Sequence, residues 1–158
     1  MIISFKNWKF SVDREATERT YASFAVGSAE ECGCIECANY LATRESIFPD
    51  EIKLLLNELG IDFKKEAEVW RMYKNQKGNH CYNGIFHFKG CFDGEDCAIP
   101  MPDGKGFTFS LNPITDRFSI GFRMASELSN FTDTNDLVQV EYEIEMPWAI
   151  DKKAEPEW

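Results

Sequence analysis

No run of the chain approaches the roughly 20 apolar residues that a membrane-crossing helix needs, so a transmembrane protein is not expected. The opening stretch, Met1 to Phe10, alternates polar and apolar residues and lacks the continuous apolar segment of a secretory signal. Glycine-rich phosphate loops, Gly-x-Ser-x-Gly elbows, His-Glu-x-x-His helices and EF-hand loops are all missing, which removes the enzyme and ion-binding classes that those motifs announce. No internal repeat and no flexible linker divides the chain. Positive charge is in short supply: 17 Lys and Arg face 27 Asp and Glu, a net charge of −10. Such a balance repels phosphate backbones at long range and makes nucleic acid an unlikely partner. Cysteine is also below the level of a disulfide scaffold, with 6 residues in 158, about 4% against roughly 8–10%. Without a secretory signal the expectation is reduced thiols in a cytoplasm.

What is present suits one domain spanning residues 1–158. Hydrophobic residues make up 44%, aromatics 14%, and 13 positions are Phe. A chain of this length removes roughly 70% of its unfolded surface from water, enough for one sizeable core. The charge is unevenly spread. Lys64, Lys65, Arg71, Lys74, Lys77 and Lys89 form a basic middle with only Glu66 and Glu68 among them, inside an acidic frame. That middle suits either an anion or pairing with acidic neighbours in the fold.

The strongest periodicity is near the C-terminus. Val138, Val140, Tyr142, Ile144 and Met146 share one face of a predicted strand, and Gln139, Glu141, Glu143 and Glu145 share the other. Pro147, with no amide hydrogen to give, ends the pairing. Phe107, Phe109 and Leu111, then Phe118, Ile120 and Phe122, predict a hairpin around Asn112–Asp116, led in by the Asp103-Gly104 turn. Ala67–Asn75 and Cys81–Gly90 predict a second hairpin around Lys77-Gly78-Asn79, and Trp8, Phe10 and Val12 one more strand. In Cys81–Gly90, Tyr82, Gly84, Phe86 and Phe88 share a face opposite Asn83, Ile85, His87 and Lys89.

Helical signal is confined to about residues 35–59. Pro49 with Asp50 and Glu51 makes a good first turn, Ile52, Leu55, Leu56 and Leu59 an apolar stripe, and Gly60 a stop. An earlier helix runs from about Ile35 to Glu45. The expected fold class is therefore α+β: a mostly antiparallel β-sheet of about six strands with an αα-hairpin inserted near residues 35–59.

The most distinctive stretch is Cys32-Gly33-Cys34-Ile35-Glu36-Cys37. The two-residue gap between Cys34 and Cys37 lets two thiolates reach one Zn²⁺, and Cys32 can join them. A closed structural site needs a fourth ligand, with His80, Cys81, His87, Cys91 and Cys97 as candidates between which spacing does not choose. Thiol chemistry is the rival reading, helped by a helix start and opposed by Glu30, Glu31 and Glu36, whose charge raises a thiol pKa. The plain alternative is small reduced thiols packed where a helix begins. His87, on the more polar face of its strand, is a weak catalytic candidate with no partner carboxylate indicated by spacing, and otherwise a hydrogen-bonded surface residue; His80 ranks below it. Trp70, Tyr73, Tyr82, Phe86 and Phe88 could stack nucleobases, although a small sheet buries most such rings. The Glu141, Glu143 and Glu145 row reads as a solvated strand face, or as a docking surface for a basic partner.

Several segments taken together resemble a family of small bacterial cytoplasmic proteins to which no activity is attached. They are Cys32-x-Cys34-x-x-Cys37-x-Asn39-Tyr40, Phe48-Pro49 leading to Leu55-Leu56-x-x-Leu59-Gly60-Ile61-Asp62, Lys65-Glu66-Ala67-Glu68-Val69, Tyr82-x-Gly84-x-Phe86-His87-Phe88-x-Gly90, and Glu143-x-Glu145-x-Pro147-Trp148. The likeness spans about residues 32–148 and implies a bacterial, soluble, stand-alone domain; it carries over no catalytic residue. Cys81, Cys91 and Cys97 lie outside the matched positions, which counts against them as ligands of a family-wide metal site.

Three functions are expected in order. The first is a non-enzymatic binding or interaction domain for a protein or small-molecule partner, for example an immunity-like acidic protein that neutralises a basic one. The second is a zinc-stabilised or thiol-redox protein centred on Cys32, Cys34 and Cys37. The third is a small-molecule enzyme using His87.

Overall fold

The computed structural model describes residues 1–158 as an α+β fold. Its strands are β1 (Ile2–Phe5), β2 (Trp8–Val12), β3 (Glu68–Lys74), β4 (His80–Asp93), β5 (Ala98–Pro100), β6 (Phe107–Phe109), β7 (Asn112–Pro113), β8 (Phe118–Met124) and β9 (Leu137–Met146). Its helices are α1 (Arg14–Ala22), α2 (Ser28–Cys32), α3 (Ile35–Ile47) and α4 (Asp50–Leu59), with a short 3₁₀ turn at Lys152–Ala154. Seven strands form one antiparallel sheet in the order β1-β2-β4-β9-β8-β7, with β3 also on β4; β5 and β6 pair separately.

The long strand β4 organises the molecule. One edge pairs throughout with β9, from His80↔Met146 to Lys89↔Leu137. The other edge is shared: β3 takes its first half and β2 its last residues. Between these two partners α1 supplies the missing hydrogen bonds. The Tyr21 hydroxyl donates to the His87 carbonyl at 2.9 Å and accepts the His87 amide at 3.1 Å. The Thr17 hydroxyl accepts the Lys89 amide at 3.0 Å. Buried backbone groups must be satisfied somewhere, and here a helix does it with side chains.

Alternation along the strands sends Tyr82, Phe86 and Phe88 of β4, Val138, Val140, Tyr142 and Ile144 of β9, and Phe118, Ile120 and Phe122 of β8 to one inner face. Tyr40 from α3, Phe48, and Ile52, Leu55, Leu56 and Leu59 from α4 close over it. Gly84 is the gap in the β4 series because the Tyr142 ring lies where its Cβ would be. Phe122 of β8 meets Trp8 and Phe10 of β2 at centroid distances of 4.9 and 4.7 Å, although two strands separate them in the sheet order. The sheet is therefore strongly curled around its aromatic interior.

Several expectations change. Helical structure is not confined to residues 35–59: α1 and α2 precede it. In α1 only Thr17 and Tyr21 are buried, a stripe too narrow to stand out from a polar segment. The two expected helices follow one another through Phe48-Pro49 but do not pack as a hairpin; α3 lies on β3 and β9, α4 against α1 and β1. Phe107–Phe109 pairs with Ala98–Pro100 rather than with β8, which takes only Asn112–Pro113. Alternation specifies a face and leaves the partner strand open.

Candidate metal centre

Three thiols converge at the junction of α2 and α3. Cys32 is the last residue of α2, Gly33 turns the chain with φ +69°, and Cys34 caps α3. Glycine takes that left-handed backbone without strain, and it allows two short helical segments to meet with no intervening loop. Cys37 sits in the first turn of α3, where its amide donates to Cys34 Sγ at 3.4 Å. The three sulfur atoms lie within 4.8 Å of one another. Cys32 and Cys34 are exposed, Cys37 is buried, and all six cysteines of the chain are free thiols.

The electrostatics differ across the cluster. Hydrogen bonding from the Cys34 amide, then from the neighbouring thiols, lowers the pKa of Cys32, against a smaller opposing effect of Glu68. Burial, then the adjoining thiols, raises that of Cys37. The α3 N-terminus adds a favourable dipole for a thiolate. A metal ion bound here would replace these protons, so its uptake would release them and strengthen as pH rises.

None of the five candidates for a fourth ligand joins the group. His80 is fully buried, its Nε2 3.0 Å from Glu155 Oε1 and its ring against Trp148. Cys81 is buried on β4, Cys91 is exposed near the end of that strand, and Cys97 packs beside Gly121. The closed four-ligand site is thus not assembled by this chain alone.

His87 is not a surface residue. It is 1% exposed, and its Nε2 lies 3.1 Å from Gln139 Oε1, which also accepts the Glu127 amide at 3.0 Å. Two donors on one carbonyl oxygen place a hydrogen on Nε2. Burial holds the imidazole pKa down at about 4, opposed by the Gln139 bond and Glu127. The ring lines none of the surface depressions, one of which lies between α1 and α4 among Arg14, Glu18, Lys53, Asp62 and Lys65.

The acidic row is divided rather than uniformly solvated. Gln139 and Glu141 are buried, linked at 2.6 Å from Gln139 Nε2 to Glu141 Oε1, whereas Glu143 is exposed. Burial raises the pKa of Glu141. Within the basic middle, Lys64, Arg71, Lys74 and Lys89 pair with Glu45, Glu36, Glu155 and Asp133. Of the five aromatics singled out by sequence, Tyr82, Phe86 and Phe88 are core and Trp70 and Tyr73 are exposed.

The residues around the cysteines act as ties. Asn39 donates to the Pro147 carbonyl at 3.1 Å and accepts the Ala149 amide at 2.8 Å, so α3 holds the segment after β9. The Tyr40 and Tyr142 hydroxyls pair at 2.6 Å inside the core. Glu66, 1% exposed, accepts the Ala29 amide at 2.9 Å and meets Arg44 at 3.3 Å, which fixes α2 and α3 to the chain entering β3. Sequence reasoning missed this buried pair, whose residues carry no spacing signal. No helix is long and apolar enough to cross a membrane. Comparison with known protein families, with curated proteins and with solved structures finds no match to this chain.

Proposed function

We propose that this chain is a non-enzymatic binding domain whose Cys32, Cys34 and Cys37 thiolates hold a thiophilic metal ion, Zn²⁺ first among them, with one position open to a ligand from outside. The observation that carries this reading is the mutual approach of the three sulfurs to within 4.8 Å. Thiolates bound to one tetrahedral Zn²⁺ at 2.3 Å stand roughly 3.8 Å apart, so closure on an ion asks for a contraction of about 1 Å at most. Soft sulfur ligands favour Zn²⁺ or Cu⁺ over Mg²⁺ or Ca²⁺. Of the three cysteines only Cys37 enters the 28-residue hydrophobic cluster, which is built mainly from the sheet and α4, so the metal is not the source of the fold.

The thiols must stay reduced for this role, which agrees with the cytoplasmic setting and bacterial family proposed from the sequence. The test is elemental analysis of protein purified without oxygen, followed by Co²⁺ titration. One equivalent of metal and a thiolate-to-cobalt absorption band, both abolished in the Cys32→Ser/Cys34→Ser/Cys37→Ser protein, are expected. Chelation should leave the far-ultraviolet circular dichroism intact. Cobalt spectra indistinguishable between the two proteins would end the proposal.

Thiol–disulfide exchange is a second reading, favoured by the lowered pKa of exposed Cys32 beside two further thiols. It differs in outcome: a small disulfide would oxidise two cluster thiols, releasing two equivalents of free thiol, and bound metal would block that reaction.

A further inference from the structure

The helices all serve the inner face of the sheet, and the opposite face is covered unevenly. Cys97 and Leu111 sit over Gly121 at the β8 side. At the β3 side, register places Trp70, Asn83 and Glu143 in one row across β3, β4 and β9. The bulge between Arg71 and Tyr73 brings Tyr73 into the next row, beside Cys81 and Glu145. Residues directly opposite share a face, and two strand spacings put Trp70 and Glu143 about 10 Å apart. Trp70 is 39% and Tyr73 46% exposed, unusual for the open face of a small sheet.

Carboxylates outnumber cations here. Glu143 makes no ion pair, and Glu68, in the row on the far side of Trp70 from Tyr73, makes none. Glu145 receives only the Asn75 amide. Asn83 Oδ1 is buried and accepts nothing. Of the nearby cations, Arg71 pairs with Glu36, Lys74 with Glu155 and Arg123 with Glu127, which leaves only the exposed Arg117, at the Glu145 end, without an ion pair.

We propose that this face, from Trp70 and Tyr73 across Asn83 to Glu143, docks an arginine-bearing segment of a basic partner protein. A guanidinium gives the fork of N–H donors that the exposed Glu143 carboxylate lacks, and its flat face stacks on an exposed indole. The chain uses the same arrangement internally: Arg71 lies 5.2 Å over the Trp158 ring, and Arg123 lies 5.2 and 5.7 Å over Phe109 and Phe107. A second copy is the poorer occupant, because two such faces set carboxylate against carboxylate on chains of net charge −10. Nucleic acid is disfavoured by the same charge. The inference goes beyond the thiol centre and is independent of metal.

The experiment is isothermal titration of the full chain with an oligoarginine peptide at low and moderate salt, with amide chemical shifts to locate it. Binding should centre on residues 68–73, 83 and 143 and weaken with salt. Trp70→Ala and Glu143→Gln should each weaken it about tenfold, the scale of an interface hot spot. Both side chains are exposed, so both variants keep the fold, which circular dichroism verifies. Glu58→Gln removes the same charge from exposed α4 and should change affinity less than about twofold. Equal loss in Glu58→Gln, shifts scattered over the acidic surface, or a dimer that buries Trp70 in sedimentation would overturn the proposal.

Discussion

Acid should destabilise this protein through one imidazole, and the size of the effect follows from where His87 sits. An unfolded histidine takes up its proton near 6.5, whereas in the folded chain burial defers uptake to about 4. Below 6.5 the unfolded state therefore binds a proton that the native state refuses. Stability is fully present above 6.5, falls as pH drops, and levels off below 4. Linkage gives a loss of about 2 kcal/mol by pH 5 and about 3 kcal/mol by pH 4, a large share of the 5–15 kcal/mol typical of a domain. Glu66 and Glu141 act in the opposite direction. Burial raises both, so their native carboxyls take up protons first and stability is regained as pH falls towards 4.5. The comparison must therefore be a difference. His87→Gln keeps an N–H for the Gln139 oxygen and does not titrate, while Glu66, Glu141 and His80 remain in both proteins. Urea unfolding followed by tryptophan fluorescence, at fixed ionic strength and several pH values between 7.5 and 4.5, measures the gap. That gap should move by about 2 kcal/mol in favour of the variant between pH 7 and pH 5. Parallel stability curves, or a His87 imidazole resonance titrating near 6.5 in the folded protein, would refute the reasoning.

Three further outcomes are expected. Tyr142→Phe leaves the buried Tyr40 hydroxyl without its partner and should cost about 1–3 kcal/mol in urea unfolding, whereas Tyr40→Phe/Tyr142→Phe together should cost less than the sum. Gly33→Ala meets open space, so its penalty is conformational, about 1–2 kcal/mol for a left-handed backbone, and Co²⁺ affinity should fall with it. His80 and Lys74 hold the Glu155 carboxyl down at about 2, so its contribution is present above the ordinary carboxylate range and lost as pH falls through 2. Glu155→Gln should loosen residues 151–158 at neutral pH, seen as faster proteolysis of the tail and altered Trp158 emission.

The cysteine segment, β4 and the end of β9 come together for structural reasons. Tyr82 donates to the Glu36 carbonyl at 2.7 Å, Asn39 grips Pro147 and Ala149, and Tyr40 meets Tyr142. Gly84 makes room for the Tyr142 ring. These contacts join the α2–α3 junction to β4 and to the end of β9. The three clustered cysteines are thereby mounted where α3 is tied to β4 and to the end of β9.

Local chemistry was legible in the chain itself. Period-two alternation placed β4 and β9 and sorted their inner faces correctly, because the twofold repeat of a strand acts on neighbouring residues alone. The Pro49 start, the leucine stripe and the Gly60 stop bounded α4 for the same reason. The spacing of Cys32, Cys34 and Cys37 indicated that their sulfurs could meet, since one turn of chain suffices to bring them together. What depended on distant residues was decided only by the fold. Phe107–Phe109 chose β5 over β8, and Cys97 and Leu111 came to cover Gly121 of β8, the residue paired with Glu141. His87, drawn as a surface histidine, became a neutral core residue because Gln139, Glu127 and Arg123 gather around its ring. The missing fourth ligand belongs to the same class. Whether His80 or Cys97 reaches the cluster depends on which elements pack against which, and the hydrophobic and hydrogen-bonding terms that settle packing act between residues far apart in the chain.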